Sequence, residues 1–126
     1  MKERRCPCGS GESLAACCGR FLSGGAAPTA EALMRSRFTA FAVGDRQYLL
    51  DTWHPSTRPS SLGLDDGTRW LHLEVVEVVD GSPFHVGGVV EFTAVYRDAD
   101  GRGEMTERST FERVDGRWLY VSGVHR

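Results

Sequence analysis

The sequence predicts an α+β fold in which helices pack on a curved antiparallel sheet, preceded by a cysteine-rich knuckle. Three observations carry this prediction. Apolar residues recur at helical spacing over residues 29–53, alternation with a period of two dominates residues 70–124, and all four cysteines lie between positions 6 and 18. With 126 residues, of which 40% are hydrophobic, the chain can bury one modest core.

The chain divides at a run of small residues from Ser23 to Pro28, which contains no large apolar side chain. We therefore expect a four-cysteine metal-binding knuckle over residues 1–25 and an α+β domain over residues 26–126. The formal net charge of −2 does not indicate the basic surface that is typical of nucleic-acid-binding proteins. No apolar run approaches the ~20 residues that a membrane span needs. Neither nucleic acid nor a membrane is the expected partner.

The knuckle is defined by Cys6, Cys8, Cys17 and Cys18. Tetrahedral zinc takes four thiolates, usually as two short-range pairs joined by a loop, and this spacing supplies both pairs. A short helical turn over residues 12–16 is expected to deliver the second pair. We predict a metal site with zinc as the expected ion and iron as the alternative. Four thiolates leave no open coordination position, which indicates a structural metal.

A pair of disulfides is the rival interpretation of the same cysteines. Bridging Cys17 to Cys18 is excluded, because neighbouring Cα atoms are about 3.8 Å apart, closer than disulfides usually allow. The other two pairings remain open. The basic residues 1–5 are followed by the knuckle rather than by the apolar stretch of a signal peptide. We therefore expect a reducing cytoplasm, which favours metal binding.

The first predicted helix begins after Thr29, which can cap it. Met34, Phe38 and Phe41 follow at i, i+4 and i+7 and form one apolar face, and Gly44 is placed to end the helix.

A second helix is predicted from Arg46 to Trp53, with Asp45 as its cap. This helix must stop near His54, because Pro55 disfavours helical geometry in the residue before it.

Residues 56–69 are rich in Ser, Thr, Gly and Asp and predict a loop. Sharp turns are indicated at Asp115-Gly116 and at Asp98–Gly101, and a bulge at Val75-Val76, where the alternation slips. The predicted strands are Trp70 to Val79, Val89 to Arg97, Glu104 to Val114 and Arg117 to Val124.

These turns also predict which side chains share a face of the sheet. With the first turn as a two-residue loop, Phe111 faces Tyr120, and with the second as a four-residue loop, Phe92 faces Glu107. Glu107 and Ser109 then lie on the apolar, core-facing side, although another register would turn them outward. The further predicted pairs are Arg113 with Trp118, Ser109 with Ser122, Glu107 with Val124 and Ala94 with Met105.

Two interpretations of these buried polar groups stay open. In the first, Glu107 pairs with a core arginine such as Arg37, and Ser109 bonds to Tyr96, Tyr120 or backbone. In the second, the cone formed by helices and sheet has an open end that holds a small molecule. The residues predicted to line this pocket are Glu107, Ser109, Tyr96, Tyr120, Trp118, Trp53, His54 and Arg37.

A carboxylate in such a cavity can serve as a general base, which would make Glu107 the centre of a small enzyme with His54 as its acid partner. Capping of the helix, or a bond to a neighbouring carbonyl, is the plainer role for His54. The sequence contains no complete catalytic set, and we assign no catalytic residue.

The knuckle resembles the zinc motif at the C-terminus of the SecA preprotein translocase, which has a Cys-x-Cys pair, a Gly-Ser-Gly turn and a Cys-Cys or Cys-His pair. The matching residues are Cys6, Cys8, Gly9, Ser10, Gly11, Cys17, Cys18 and Gly19. The rest of the chain resembles the YchJ-like family, which joins this motif to a nuclear transport factor 2-like domain. The segments that carry the resemblance are Arg35–Phe41, Tyr48-Leu49, Thr52–Pro55, Val90–Tyr96, Glu107–Phe111 and Trp118–Gly123.

Three functions follow as expectations, in this order. The resemblance to the translocase motif implies a non-enzymatic adaptor whose knuckle contacts a protein-export chaperone or the ribosome. The second is a small-ligand-binding domain or small enzyme centred on Glu107. The third is a metal or redox sensor, because exposed cysteine clusters lose their ion on oxidation. The sequence leaves open whether the protein is a monomer or a homodimer.

Overall fold

The structure is a computed structural model that describes residues 4–64 and 67–126. Within these residues, helices come first and strands follow, and the strands form one antiparallel sheet in the order β1-β2-β3-β4. The elements are α1 (Gly19–Leu22), α2 (Ala30–Val43), α3 (Arg46–Asp51), β1 (Arg69–Asp80), β2 (Gly87–Asp98), β3 (Gly101–Val114) and β4 (Arg117–His125). The predicted α+β fold is confirmed. Residues 1–3 of the knuckle segment and residues 65 and 66 of the predicted loop lie outside the described residues.

Helix α2 begins and ends as predicted. The hydroxyl of Thr29 accepts a hydrogen bond from the Ala32 backbone N–H at 3.0 Å, and Gly44 ends the helix with φ of 79°. This left-handed conformation favours glycine. Met34 and Phe38 are buried against the sheet, so the helix forms one wall of the core.

Helix α3 ends at Asp51 rather than at the predicted Trp53. The chain turns away from the helix because its backbone bonds to strand β4 instead. The Tyr120 N–H donates to the Thr52 carbonyl at 2.8 Å, and the His54 N–H donates to the Tyr120 carbonyl at 2.7 Å. This contact places the end of α3 beside the inner face of the sheet.

The strands extend one to three residues beyond six of their eight predicted ends; Val114 and Arg117 are as predicted, and β3 begins at Gly101 rather than Glu104. The predicted bulge in β1 is confirmed by a register shift between Val75 and Glu77, and a second shift lies between Trp70 and His72. Such bulges bend the sheet toward α2.

The register of β3 against β4 holds near the turn and changes further along. The pairs Phe111 with Tyr120, Arg113 with Trp118, Phe92 with Glu107 and Ala94 with Met105 are confirmed. The predicted pairs Ser109 with Ser122 and Glu107 with Val124 are wrong. A shift after Thr110 leaves Val121 as an extra residue in β4, so Ser109 pairs with Gly123 and Glu107 with His125.

The knuckle differs from the prediction in its local structure. Residues 12–16 form no helix: Ser13 pairs with Arg5 in a short β-bridge, residues 14–18 form hydrogen-bonded turns, and α1 begins only at Gly19, after the second cysteine pair. The carbonyl of Leu14 accepts hydrogen bonds from the backbone N–H groups of Cys17 and Gly19, at 3.2 and 2.7 Å. These bonds close the chain around the cysteines.

The core is shared between the knuckle and the sheet domain. Cys6, Cys8 and Cys18 are buried in the same apolar cluster as Leu33 and Met34 of α2. No helix in residues 4–64 and 67–126 has both the length and the apolar character needed to cross a membrane.

Candidate functional site

Four sulfur atoms come together in the knuckle. The Sγ atoms of Cys6, Cys8, Cys17 and Cys18 lie within 4.8 Å of one another, and those of Cys8 and Cys17 are 3.6 Å apart. With Zn–S bonds of about 2.3 Å, the sulfurs of a tetrahedral site are about 3.8 Å apart. The four cysteines are free thiols in this structure. The donor set and its spacing therefore fit a four-coordinate metal ion.

Tight backbone turns bring the first cysteine pair toward the second. The Cys6 N–H donates to the Glu12 carbonyl at 2.9 Å, and the Gly9 N–H donates to the Cys6 carbonyl at 3.2 Å. Gly9 and Gly11 have φ of 84° and 87°, a left-handed conformation that side chains disfavour. The glycines of the Gly-Ser-Gly turn are therefore required by the backbone of the site.

Hydrogen bonds among the thiols favour a thiolate at Cys8. A hydrogen bond from the Cys18 thiol lowers the pKa of Cys8 to about 4, against the opposing effect of burial, and the Ser10 backbone N–H and hydroxyl add to the lowering. The same bond to Cys8, together with burial, raises the pKa of Cys18. The Ser10 hydroxyl also donates to Cys17 Sγ at 3.1 Å. Donors that face the sulfurs in this way stabilise metal-bound thiolates.

Helix α2 holds the knuckle from the domain side. Thr39 Oγ1 lies 3.6 Å from Cys6 Sγ, and Arg35 Nη1 donates to the Cys8 carbonyl at 3.2 Å. Cys6, Cys8 and Cys18 are 5%, 0% and 1% exposed. The cysteine cluster is thus an internal part of the molecule rather than a free tip.

The second candidate site is a cavity of about 360 Å³ between α2, the end of α3 and the inner face of the sheet, here called the cone cavity. Its lining residues are Met34, Arg37, Phe38, Phe41, Trp53, Trp70, Phe92, Ala94, Met105, Glu107, Ser109, Phe111 and Tyr120. Phe41 is still 38% exposed and contacts Trp70 at 6.2 Å between ring centroids, which places these two rings at the opening. The walls are apolar, and the few polar groups come from α2, β3 and β4.

Five of the eight predicted pocket residues line the cone cavity, namely Arg37, Trp53, Glu107, Ser109 and Tyr120. The other three lie outside its lining. Tyr96 packs against Trp70 with ring centroids 5.6 Å apart, and the buried Trp118 donates from Nε1 to the Pro28 carbonyl at 3.2 Å. His54 Nδ1 accepts a hydrogen bond from the Ser56 N–H at 3.0 Å, so His54 has a local structural role instead of being the acid partner of Glu107.

The partners of Glu107 differ from those expected. Ser109 donates to Oε2 at 2.6 Å, and His125 Nε2 lies 3.2 Å from Oε1, whereas the described residues show no ion pair between Glu107 and Arg37. A Cβ at Gly123 would occupy the place of this carboxylate. The extra residue in β4 therefore sets both the partner of Glu107 and the space around it.

Arg37 is 6% exposed and crosses the base of the cone cavity. Its Nη1 donates to the Leu49 carbonyl and to Thr52 Oγ1, both at 2.7 Å. The guanidinium lies over the rings of Trp53 and Tyr120, at 5.1 and 4.6 Å from their centroids. Burial lowers the pKa of Arg37 to about 10, with nearby Tyr120 opposing the shift.

Sequence reasoning did not assign the apolar walls to the site. Met34, Phe38 and Phe41 were recognised by their helical spacing as a core face, and the same spacing points them at the cavity. The apolar wall residues of the sheet are Trp70 from β1, Phe92 and Ala94 from alternate positions of β2, and Met105 and Phe111 from β3. A period-two pattern indicates which residues lie on the inner face of the sheet. It does not indicate whether that face packs against other side chains or borders a cavity.

The fold and the cysteine cluster together define an α+β cone domain that carries a four-cysteine knuckle. The chain belongs to the YchJ-like family: the profile described as "YchJ, middle NTF2-like domain" matches residues 29–123, and the SEC-C motif matches residues 5–20. These matches confirm the resemblance noted from the sequence.

Similar proteins occur in several bacteria. A UPF0225 protein of Streptomyces coelicolor is 59% identical over 124 residues, which cover 98% of this chain and 97% of the relative. A UPF0225 protein of Corynebacterium glutamicum is 55% identical over 121 residues, which cover 95% and 96%.

Two solved structures share the fold. The solution structure of a SEC-C motif containing protein from Rhodopseudomonas palustris has a TM-score of 0.82 at 32% identity and covers 94% of this chain and 96% of its own. The crystal structure of a SEC-C motif containing protein from Psychrobacter arcticus has a TM-score of 0.76 at 26% identity, covering 93% and 80%.

Proposed function

We propose that this protein binds a small molecule in the cone cavity and that the knuckle carries a structural zinc ion. The observation that carries the proposal is the cavity itself: about 360 Å³ of space, walled by apolar side chains, with a few polar groups gathered at one side. Small-molecule sites have this composition, because apolar walls supply affinity and the polar groups fix orientation.

An empty space of this size is better explained as a ligand-binding site than as a packing defect in the core. Protein interiors are normally close-packed, and an empty space of this size removes contacts from every side chain around it. Here the space is bordered by a buried arginine and by Glu107, whose side chain is only 15% exposed. Buried charges beside apolar space are costly unless something pairs with them.

In this proposal, zinc would be held by Cys6, Cys8, Cys17 and Cys18. When bound, it would supply a rigid cross-link between the two cysteine pairs, without catalytic chemistry, because four thiolates close the coordination sphere. Elemental analysis of the purified full chain tests the choice of metal. We expect one zinc per chain, and one iron per chain would select the alternative ion.

Binding in the cone cavity is tested with N-phenyl-1-naphthylamine, a neutral apolar probe whose fluorescence rises in apolar surroundings. Ala94 is 1% exposed and lines the cavity, so Ala94→Leu fills part of the space. We expect saturable binding at one probe per chain and a loss of at least about tenfold in affinity with Ala94→Leu. The matched control is Thr110→Leu, which adds a similar side chain at an exposed position of β3. Absence of saturable binding, or equal binding by both variants, would contradict the proposal.

A second candidate function is the adaptor role, with an export chaperone or the ribosome as the partner. The observation that favours it is the exposed rim of the knuckle, which includes Ser10, Glu12, Ala15 and Ala16 within the matched SEC-C segment. Its test is co-sedimentation of the metal-loaded full chain with purified bacterial ribosomes, and co-elution with a purified export chaperone. Ala15→Arg should abolish binding, whereas Ala99→Arg, at an exposed turn far along the chain, should not. Failure of both partners to bind would count against this role.

A further inference from the structure

Arg37 carries a buried positive charge for which residues 4–64 and 67–126 provide no ion pair. Its two hydrogen bonds both leave from Nη1 and end on neutral oxygens, the Leu49 carbonyl and Thr52 Oγ1. A guanidinium has five N–H donors, so three of them, on Nε and Nη2, have no protein acceptor in the described part of the chain.

Glu107 is near Arg37 but does not neutralise it. Within residues 4–64 and 67–126, the Glu107 carboxylate forms neither a hydrogen bond nor an ion pair with the Arg37 guanidinium. Both carboxylate oxygens are already engaged, Oε2 by Ser109 and Oε1 by His125 at 3.2 Å. The anionic partner that a buried guanidinium calls for is therefore not supplied by the cavity walls.

The space beside Arg37 is apolar. The cavity lining includes Phe38, Phe92 and Met105, and none of the described residues that line it is a lysine. One arginine with a carboxylate nearby suits a single negative charge better than the two charges of a phosphate group, because Glu107 would repel the second. The planar fork of an arginine also matches the two oxygens of a carboxylate.

We propose that the ligand of the cone cavity is a small carboxylic acid with an apolar body, bound through its carboxylate to the unpaired N–H groups of Arg37. The body lies against the aromatic and methionine side chains of the walls. This inference rests on the proposed function, because it names the chemical class of ligand for the same cavity.

The test compares three probes that share one phenylpropyl body and differ in charge: 3-phenylpropionate, 3-phenylpropanamide and 3-phenylpropylamine. Affinities are measured by isothermal titration calorimetry on the metal-loaded full chain at pH 7. We expect the propionate to bind at least about tenfold more tightly than the amide, since a hydrogen bond to a charged partner contributes more than one to a neutral partner. The amine is expected to bind most weakly.

Two variants locate the effect within the cavity. Arg37→Lys keeps the positive charge and removes the planar fork of the guanidinium. It should lower the affinity for the propionate several-fold and change the affinity for the amide little. Because Arg37 also joins α2 to α3, Arg37→Lys can destabilise the protein. A second variant, at Glu107, leaves the contacts of Arg37 in place. Glu107→Gln removes a negative charge from the cavity and should raise the affinity for the propionate but not for the amide. The control Glu112→Gln, at an exposed position of the same strand, should change neither affinity.

The outcomes separate this inference from the proposal on which it rests. Equal or tighter binding of the amide, or a preference for the amine, overturns the carboxylate assignment. If none of the three probes binds but N-phenyl-1-naphthylamine does, the carboxylate assignment falls and the cavity remains a binding site. If no probe binds at all, both proposals fall.

Discussion

The position of Arg37 is set by the local sequence of α2, whereas its contacts come from residues distant in the chain. Its position on α2 follows from the helical spacing, which turns it toward the sheet together with Met34. Its acceptors come from α3 and from Thr52 just after it, and the ring that it covers at 4.6 Å, Tyr120, comes from β4. Arg37 therefore ties three elements together at the base of the cone cavity.

Gly123 has an equally specific role, because its missing side chain leaves room for the Glu107 carboxylate. We predict that Gly123→Ala forces this carboxylate aside and breaks its 2.6 Å hydrogen bond with Ser109. The free energy of unfolding, measured by urea denaturation, should fall by about 1.5 kcal/mol, the value of a hydrogen bond to a charged group.

A double-mutant cycle provides the control for this prediction. In a Glu107→Ala background the carboxylate is gone, so Gly123→Ala should change the free energy of unfolding by less than about 0.5 kcal/mol. A similar loss in both backgrounds would mean that Gly123 is required by the backbone of β4 and not by Glu107.

At the scale of elements, the caps of the helices were readable from single residues. Thr29 and Gly44 bound α2 as predicted, because capping depends on a side chain and the backbone within one turn of it. We predict that Thr29→Ala removes the hydrogen bond to the Ala32 N–H and lowers the free energy of unfolding by about 1 kcal/mol.

The conservative variant Thr29→Ser retains a hydroxyl at the cap. It should unfold within about 0.5 kcal/mol of the native chain, because serine caps helices at least as well as threonine. If Ser and Ala destabilise the protein equally, the methyl group of Thr29, and not its hydroxyl, is what stabilises the start of α2.

In the strands, the pairing near the turns was predictable from the sequence, but the bulge in β4 was not. Turn chemistry placed the β3–β4 hairpin and the inner face of Glu107, because a two-residue loop fixes the nearest pairs. It did not place the bulge at Val121, since an extra residue in an otherwise alternating strand is selected by packing across the sheet. The pairing of Glu107 with His125 depended on that bulge and was missed for the same reason.

At the scale of the whole molecule, the knuckle and the sheet domain share one core. Cys8 and Cys18 are buried in the same cluster as Leu33 of α2. We predict that removing the metal with a chelator destabilises the entire chain in one cooperative transition. For a metal present at about one hundred times its Kd, the free energy of unfolding should fall by about 2.7 kcal/mol.

Cys8→Ser should reproduce this loss without a chelator, because it removes one ligand of the proposed zinc site. Ser10→Ala is the matched control, since it removes the hydrogen bonds of the Ser10 hydroxyl with Cys17 Sγ and the Glu12 N–H but leaves all four thiols in place. An unfolding transition of the sheet domain that is unchanged by the chelator would show that the knuckle folds and unfolds on its own.

The two candidate sites were predictable to different degrees. The cysteine cluster was readable in full, since its ligands lie within thirteen consecutive positions, from 6 to 18. The cone cavity gathers residues from α2, the chain after α3 and all four strands. Its polar members Glu107 and Ser109 were visible as polar residues on an apolar face, but the volume between the walls depends on the curvature of the sheet.

The most direct test of the account is to observe the probe inside the cone cavity by NMR. Met34 and Met105 line the cavity from opposite sides, one on α2 and one on β3. With ¹³C-labelled methionine methyl groups in the metal-loaded full chain, N-phenyl-1-naphthylamine should show intermolecular nuclear Overhauser effects to both methyl groups. These effects should be lost in Ala94→Leu. If the bound probe contacts neither methyl group, the central claim that the cone cavity is the binding site is wrong.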